Sequence, residues 1–179
     1  ERSEACGKLL RRWLLQATHA WTHERGGKTE LVLVLLGPQG VGKSTWIKQL
    51  LPNHNHLVKD GHVLDFANKD SLIIALEHAL VELGEIMRTL KGGDALKAFL
   101  SQDRDQIRMP YGKRANCFPR RTVFAGSVDR ANYLRDDAGN RRFLTIEVGK
   151  DMNALHQVNM QQLFAECHHD LKAGEISNL

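Results

Sequence analysis

The run Gly37-Pro38-Gln39-Gly40-Val41-Gly42-Lys43-Ser44 carries the spacing G-x-x-x-x-G-K-S, which is the spacing of a phosphate cradle. Glycine lets successive backbone N–H groups turn inward and come close to an anion. In such a cradle residues 37–45, Thr45 included, surround the phosphates of a nucleoside triphosphate. Lys43 reaches the β- and γ-phosphates, and the Ser44 hydroxyl ligates Mg²⁺. A second group able to do chemistry is a pair of acids, Glu82 and Glu85, at the end of the apolar run Ala79 to Leu83. An acid there can hold the metal shell, and another can polarise an attacking water. We assign Glu82 to the metal and Glu85 to the water, with the roles open to exchange. Two further candidates follow. Asp129 closes another apolar run and would face the γ-phosphate from the side opposite the acids. Arg141 and Arg142 follow a Gly-Asn turn and can contact anions.

These groups need elements to hold them. Leu31 to Leu36 is a continuous apolar run of strand length before the cradle, and Thr45 to Leu51 reads as the helix after it. Strands are also expected at 62–66, 79–83, 122–125 and 144–148. Helices are expected at 4–24, 70–76, 89–99 and 163–173, the last ended by Gly174. Residues 52–61 read as a polar connection. His54 with His56, and Cys167 with His168 and His169, lack the spacing of a structural zinc site. Residues 102–121 hold six basic side chains against Asp103 and Asp105. They read as a β-hairpin with a basic tip. Arg108, Lys113 and Arg114 are its candidate contacts to a nucleic-acid backbone, although a solvated charged hairpin has the same composition.

Composition sets the bounds. A chain of 179 residues, 42% hydrophobic and 26% charged, suits one globular domain with a proper core. The net charge of +4 permits a nucleic-acid partner without requiring one. Three cysteines, widely spaced and odd in number, read as free thiols of a reducing compartment. No apolar run approaches membrane-spanning length, and no signal-peptide pattern is visible. The opening on Glu1 reads as a piece cut from a longer protein. We divide it into an N-terminal helical segment, 1–28, and an ATPase domain, 29–179.

The order GPQGVGKST, VELGE, R-x-P-Y at Arg108 to Tyr111 and G-N-R-R-F at Gly139 to Phe143 resembles the virulence-associated protein E family. Those are phage- and plasmid-type ATPases similar to superfamily 3 helicases. The resemblance covers roughly residues 5 to 179. It implies an α/β fold: a P-loop NTPase core, AAA+-like and of superfamily 3 helicase type, with an extra strand between the two ATPase motifs. A short N-terminal helix would precede it, and a β-hairpin would be inserted before the fourth core strand. It implies a ring, usually of six subunits, around single-stranded or forked DNA, with the hairpin in the channel. It makes Arg141 or Arg142 the finger that reaches a neighbour's ATP. It also implies a primase-like domain in the same longer chain and a place in the cytoplasm of a bacterial host. The chain departs from the family at Asp129, where relatives carry Asn. An ionised carboxylate there repels the γ-phosphate, unless it acts through a water or protonated, or Ser127 takes the role.

The expected function is therefore an ATP- and Mg²⁺-dependent DNA helicase motor without a membrane partner. A slowly hydrolysing, nucleotide-gated DNA- or protein-binding switch or loader is the alternative that Asp129 favours. A kinase would need an acceptor-binding constellation, which the sequence does not offer.

Overall fold

The computed structural model describes residues 2–84, 86–108, 114–129 and 140–174. Glu85 and Lys113 lie outside the described residues. Helix α1 spans Arg2–Thr22, β1 Val32–Leu36, α2 Lys43–Lys48, β2 Val58–His62, α3 Lys69–Leu76 and β3 Leu80–Leu83. Then come α4 Ile86–Leu90, α5 Gly93–Leu100, β4 Arg104–Ile107, β5 Asn116–Pro119, β6 Val123–Val128, β7 Phe143–Glu147 and α6 Met160–Lys172. No helix among the described residues is long and apolar enough to cross a membrane.

Five strands form one parallel sheet in the order β2-β3-β6-β1-β7. β1 lies between β6 and β7, with Val32 opposite both Phe124 and Phe143, and Leu36 opposite both Val128 and Glu147. Alternation along each strand sends side chains to two different layers. Leu31, Leu33 and Leu35 join one core with Trp13 of α1, Ile47 of α2 and Leu171 of α6. Val32 and Val34 join the other with Ala75 of α3, Ile86 of α4 and Phe99 of α5. Strands buried on both faces explain why β1 reads as an unbroken apolar run.

The same alternation aims the polar residues. Leu80 of β3 belongs to the layer of α1, α2 and α6, so Glu82, two residues on, faces that layer too. Ala125 of β6 does the same for Ser127. Helix α1 is fastened to the sheet by polar bonds as well as by burial. Trp13 Nε1 donates to the Phe124 carbonyl at 2.9 Å, and Gln16 both accepts from and donates to the Leu31 backbone at 2.9 Å.

Several elements depart from the sequence reading. The strand expected at 62–66 is β2 at Val58–His62, which shares only His62 with that expectation and otherwise lies in the stretch read as a loop. β2 is an edge strand with no face fully buried, so no apolar period marks it. Pairing with β3, Val58 opposite Leu80, selects it instead. The apolar signal came from Leu64, which leaves the sheet and tucks into the core. The single helix expected at 89–99 is two, α4 and α5, parted at Gly92-Gly93, where Gly93 takes φ +48°. β6 runs on to Val128, so Ser127 lies within the strand rather than after it. α6 begins at Met160, three residues early, because the Asn159 side chain caps it by accepting from Gln162 N–H at 3.1 Å.

β4 and β5 form a separate antiparallel ladder, Arg104 opposite Pro119 through Ile107 opposite Asn116. Its base is held by Arg120, which is fully buried. Arg120 forks onto the Asp105 carboxylate, donates to the Phe99 carbonyl at 2.8 Å and lies 4.3 Å over the Phe99 ring. Arg121 caps the end of α1, donating to the carbonyls of Ala20, Trp21 and Glu24. These two arginines counted toward the basic composition of residues 102–121, yet both are occupied with structure.

Candidate nucleotide site

The cradle residues lie at the carboxyl end of β1, the edge of a parallel sheet where ligands are held. The Gly37 N–H donates to the Val128 carbonyl at 3.0 Å, tying the start of the loop to β6. Gly40 and Gly42 take φ of +80° and +89°, a left-handed backbone that other residues adopt at a cost. Gly42 then caps α2, with Trp46 N–H donating to its carbonyl at 2.9 Å. Between these glycines and Ser44 sits Lys43, only 9% exposed. Its ammonium donates to the carbonyls of Gly37 at 2.8 Å and Pro38 at 2.7 Å. The loop is thus closed on its own lysine. Phosphate oxygens would exchange for those carbonyls as charge-assisted acceptors.

Glu82 reaches this loop across β6. Its carboxylate is 4% exposed. One oxygen accepts from the Ser44 hydroxyl and, at 3.5 Å, from the Ser127 hydroxyl. The other accepts from the Gly61 N–H at 3.1 Å. Four segments therefore converge on one carboxylate: the phosphate loop, β2, β3 and β6. A carboxylate buried with hydroxyl and amide donors has lost most of its hydration without gaining a counter-charge from them. Hard oxygen donors of this kind, one hydroxyl and one carboxylate, suit Mg²⁺, which takes one or two protein ligands and fills its shell with water and phosphate. The residues present fit that ion.

The remaining candidates are placed as follows. Asp129 is exposed and follows Val128, whose carbonyl anchors Gly37, so it stands at the mouth of the loop. Arg141 is exposed, in a single 3-10 turn before β7. Arg142 is half-buried and donates to the Ser101 hydroxyl at the end of α5 at 3.0 Å, with its Nε shielded and unpartnered. Both arginines lie beside Val32, at the amino-terminal edge of the sheet, while the phosphate loop leaves the opposite edge after Leu36. Pairing therefore brings Lys43, Ser44 and Glu82 together and keeps the arginines away from them. Arg108, just after β4, and Arg114, shortly before β5, are exposed, and Phe118 of β5 is 45% exposed.

Sequence reasoning missed the Gly61 amide, the Ser101 anchor and the stretch 149–158 after β7, which packs on the loop. A Cβ on Gly37 would overlap Val148, and one on Gly42 would overlap the Cβ of Ala154. His156 stands edge-on to Trp46, with ring centroids 5.4 Å apart. Neither nitrogen of its ring reaches a partner in good geometry, and burial lowers its pKa. No local pattern marks these contacts, because each joins segments distant in sequence.

Over residues 1–179 the sequence matches the virulence-associated protein E-like domain family. No curated protein matches it. Among solved structures it resembles the A form apo structure of the NrS-1 C terminal region, with a TM-score of 0.53 at 17% identity, covering 93% of this chain and 44% of that one. An A form apo structure of the same region, 305–718, gives 0.52 at 18%, covering 93% and 43%. At these identities the likeness is one of fold, and the chain spans less than half the length of either.

Proposed function

The chain belongs to the virulence-associated protein E-like family, and from that membership we propose that it is the ATPase motor of a DNA helicase serving the replication of a phage or other mobile element. The observation that carries the proposal is the meeting of Ser44 and Glu82 across β6, beside a phosphate loop already closed on Lys43. That arrangement supports a P-loop ATPase core. The loop amides and Lys43 bind the triphosphate and withdraw charge from its β- and γ-oxygens. Ser44 and Glu82 would hold Mg²⁺, which would supply positive charge to neutralise the triphosphate. Glu82, fixed by Gly61 and Ser127, keeps the metal side of the site oriented. Glu85 is assigned to the attacking water. Arg141 is assigned to the γ-phosphate of a neighbouring subunit in a ring, proposed as hexameric, in the bacterial cytoplasm. Arg142 is the weaker candidate for that role, since Ser101 of its own chain holds it. The hairpin, with Arg108, Lys113 and Arg114, is assigned to the DNA backbone. The exposed Phe118 ring supports stacking on an unpaired base.

One observation favours a second reading, a slowly hydrolysing switch. Asp129 is exposed and follows Val128, whose carbonyl holds the start of the loop, and on this reading its carboxylate is assigned to the γ-phosphate side, where like charge would slow turnover. Steady-state ATP turnover with and without single-stranded DNA separates the two. A motor hydrolyses faster on DNA and loses turnover in Glu82→Gln. A switch shows slow turnover that DNA leaves unchanged, and Asp129→Asn then speeds it. A chain that fails to bind ATP at all removes both readings.

A further inference from the structure

We propose that the stretch 149–158 after β7 is the nucleoside wall of the site, with Leu155 and Val158 as the apolar face on which the base lies. The inference rests on the phosphate-loop reading and adds the side of the loop that the nucleoside takes. Direction comes from the sheet order. Glu82 and Ser127 stand on β3 and β6, both to one side of β1. The γ end of a triphosphate is the end that needs the metal and the acids. A triphosphate is a linear chain, so its nucleoside leaves the other way, across β1 toward β7. The segment that follows β7 is what it meets there.

That segment is seated along the whole loop. Val148 N–H donates to the Leu36 carbonyl at 2.7 Å, and Val148 packs against Gly37 at the start of the loop. Ala154 packs against Gly42 at its end, and His156 is pinned edge-on to Trp46 in the first turns of α2. Between and beyond these fixed points the chain turns apolar side chains outward. Leu155 is 63% and Val158 53% exposed, the two most exposed large hydrophobics among the described residues. Large apolar groups in water beside a polar anion site are what the flat face of a nucleobase would cover.

The test compares a ligand that has a nucleoside with one that lacks it. Calorimetry of the whole chain with Mg²⁺ would measure ATP and inorganic tripolyphosphate in parallel. Leu155→Ser with Val158→Ser should weaken ATP by about tenfold and leave tripolyphosphate within about twofold, while Leu155→Phe keeps ATP binding. Both side chains are exposed, so the serine variant should melt with the parent. Equal weakening of both ligands would mean that the segment only braces the loop, and the proposal falls. Unchanged binding of both, with loss of self-association by sedimentation, would make the patch a subunit contact, and the proposal falls again. A parent that binds tripolyphosphate as tightly as ATP removes the nucleoside wall but not the phosphate loop. A parent that binds neither removes both.

Discussion

Glu82 is a carboxylate drawn out of water and held by the hydroxyls of Ser44 and Ser127 and the amide of Gly61. Glu82→Gln preserves size and can keep much of this bonding while removing the charge. It should leave ATP affinity near the parent's and lower turnover by on the order of 10²–10⁴. A variant with parental turnover would take the carboxylate out of the mechanism. Lys43→Ala acts on binding instead. Each charge-assisted bond to phosphate is worth about 1.5–3 kcal/mol, so calorimetry should show ATP affinity falling by at least tenfold. Three histidines make stability depend on acidity. His19, His62 and His156 each have a pKa below the ordinary 6.5, chiefly through burial. The unfolded chain takes up protons near pH 6.5 that the folded chain resists, so stability is full above that value and declines as pH falls through it. The melting temperature should drop between about pH 7.5 and 5.5, and less steeply in His156→Phe. Parallel profiles for parent and variant would show that His156 titrates alike in both states.

At the scale of elements, the hairpin stands on one buried pair. Arg120→Ala strands Asp105 without a partner at 5% exposure, and should cost about 3–5 kcal/mol in a urea melt. Arg120→Met with Asp105→Leu should recover most of it, since an apolar pair leaves no orphan charge. If the double variant melts no later than the single, the ion pair contributes something an apolar pair cannot replace. The tip is a separate matter. Removing Arg108 and Arg114 together should lower the slope of log affinity against log salt for single-stranded DNA by about 0.7 for each phosphate no longer neutralised. An unchanged slope makes both side chains solvated charges. Legibility followed the range of each signal. The phosphate loop was readable because its glycines, lysine and serine act within eight residues of one another. Glu82, the next-to-last residue of a fully buried strand in the fold, was readable because it is an acid near the end of an apolar run. β2 was not, because its place is decided by β3 rather than by its own side chains. Arg120 and Arg121 were counted with the surface charge because composition does not separate a solvated guanidinium from one under a ring or over a helix end.

On the scale of the whole molecule, the sheet holds the phosphate loop at one edge and Arg141 and Arg142 at the other. About 13 Å of strand lies between the loop edge and the edge that carries Arg141 and Arg142. In the proposed ring, a guanidinium there would serve a neighbour's nucleotide more readily than its own. Arg141→Ala subunits should bind ATP normally and hydrolyse it poorly, an effect on the order of 10³–10⁵ where such fingers act. Mixed with Lys43→Ala subunits in the presence of DNA, they should regain part of the activity, because some intact loops then meet an intact arginine. No recovery at any ratio, with assembly confirmed by sedimentation, would place the defect in cis and remove the ring contact. Arg142→Ala, which releases Ser101, should instead show as a lowered melting temperature.

The order of the strands also sets a timetable. β1 is the centre of the sheet, yet both of its partners come late in the chain: Val32 waits for Phe124 and then for Phe143. At ordinary rates of synthesis the run Val32 to Leu36 leaves the ribosome roughly 5–20 s before β7 does. Until β6 emerges this apolar strand has neither neighbour, and until β7 emerges it has only one. The nascent chain is therefore open to strand-to-strand association with other copies, and to capture by a chaperone, until β7 has been made.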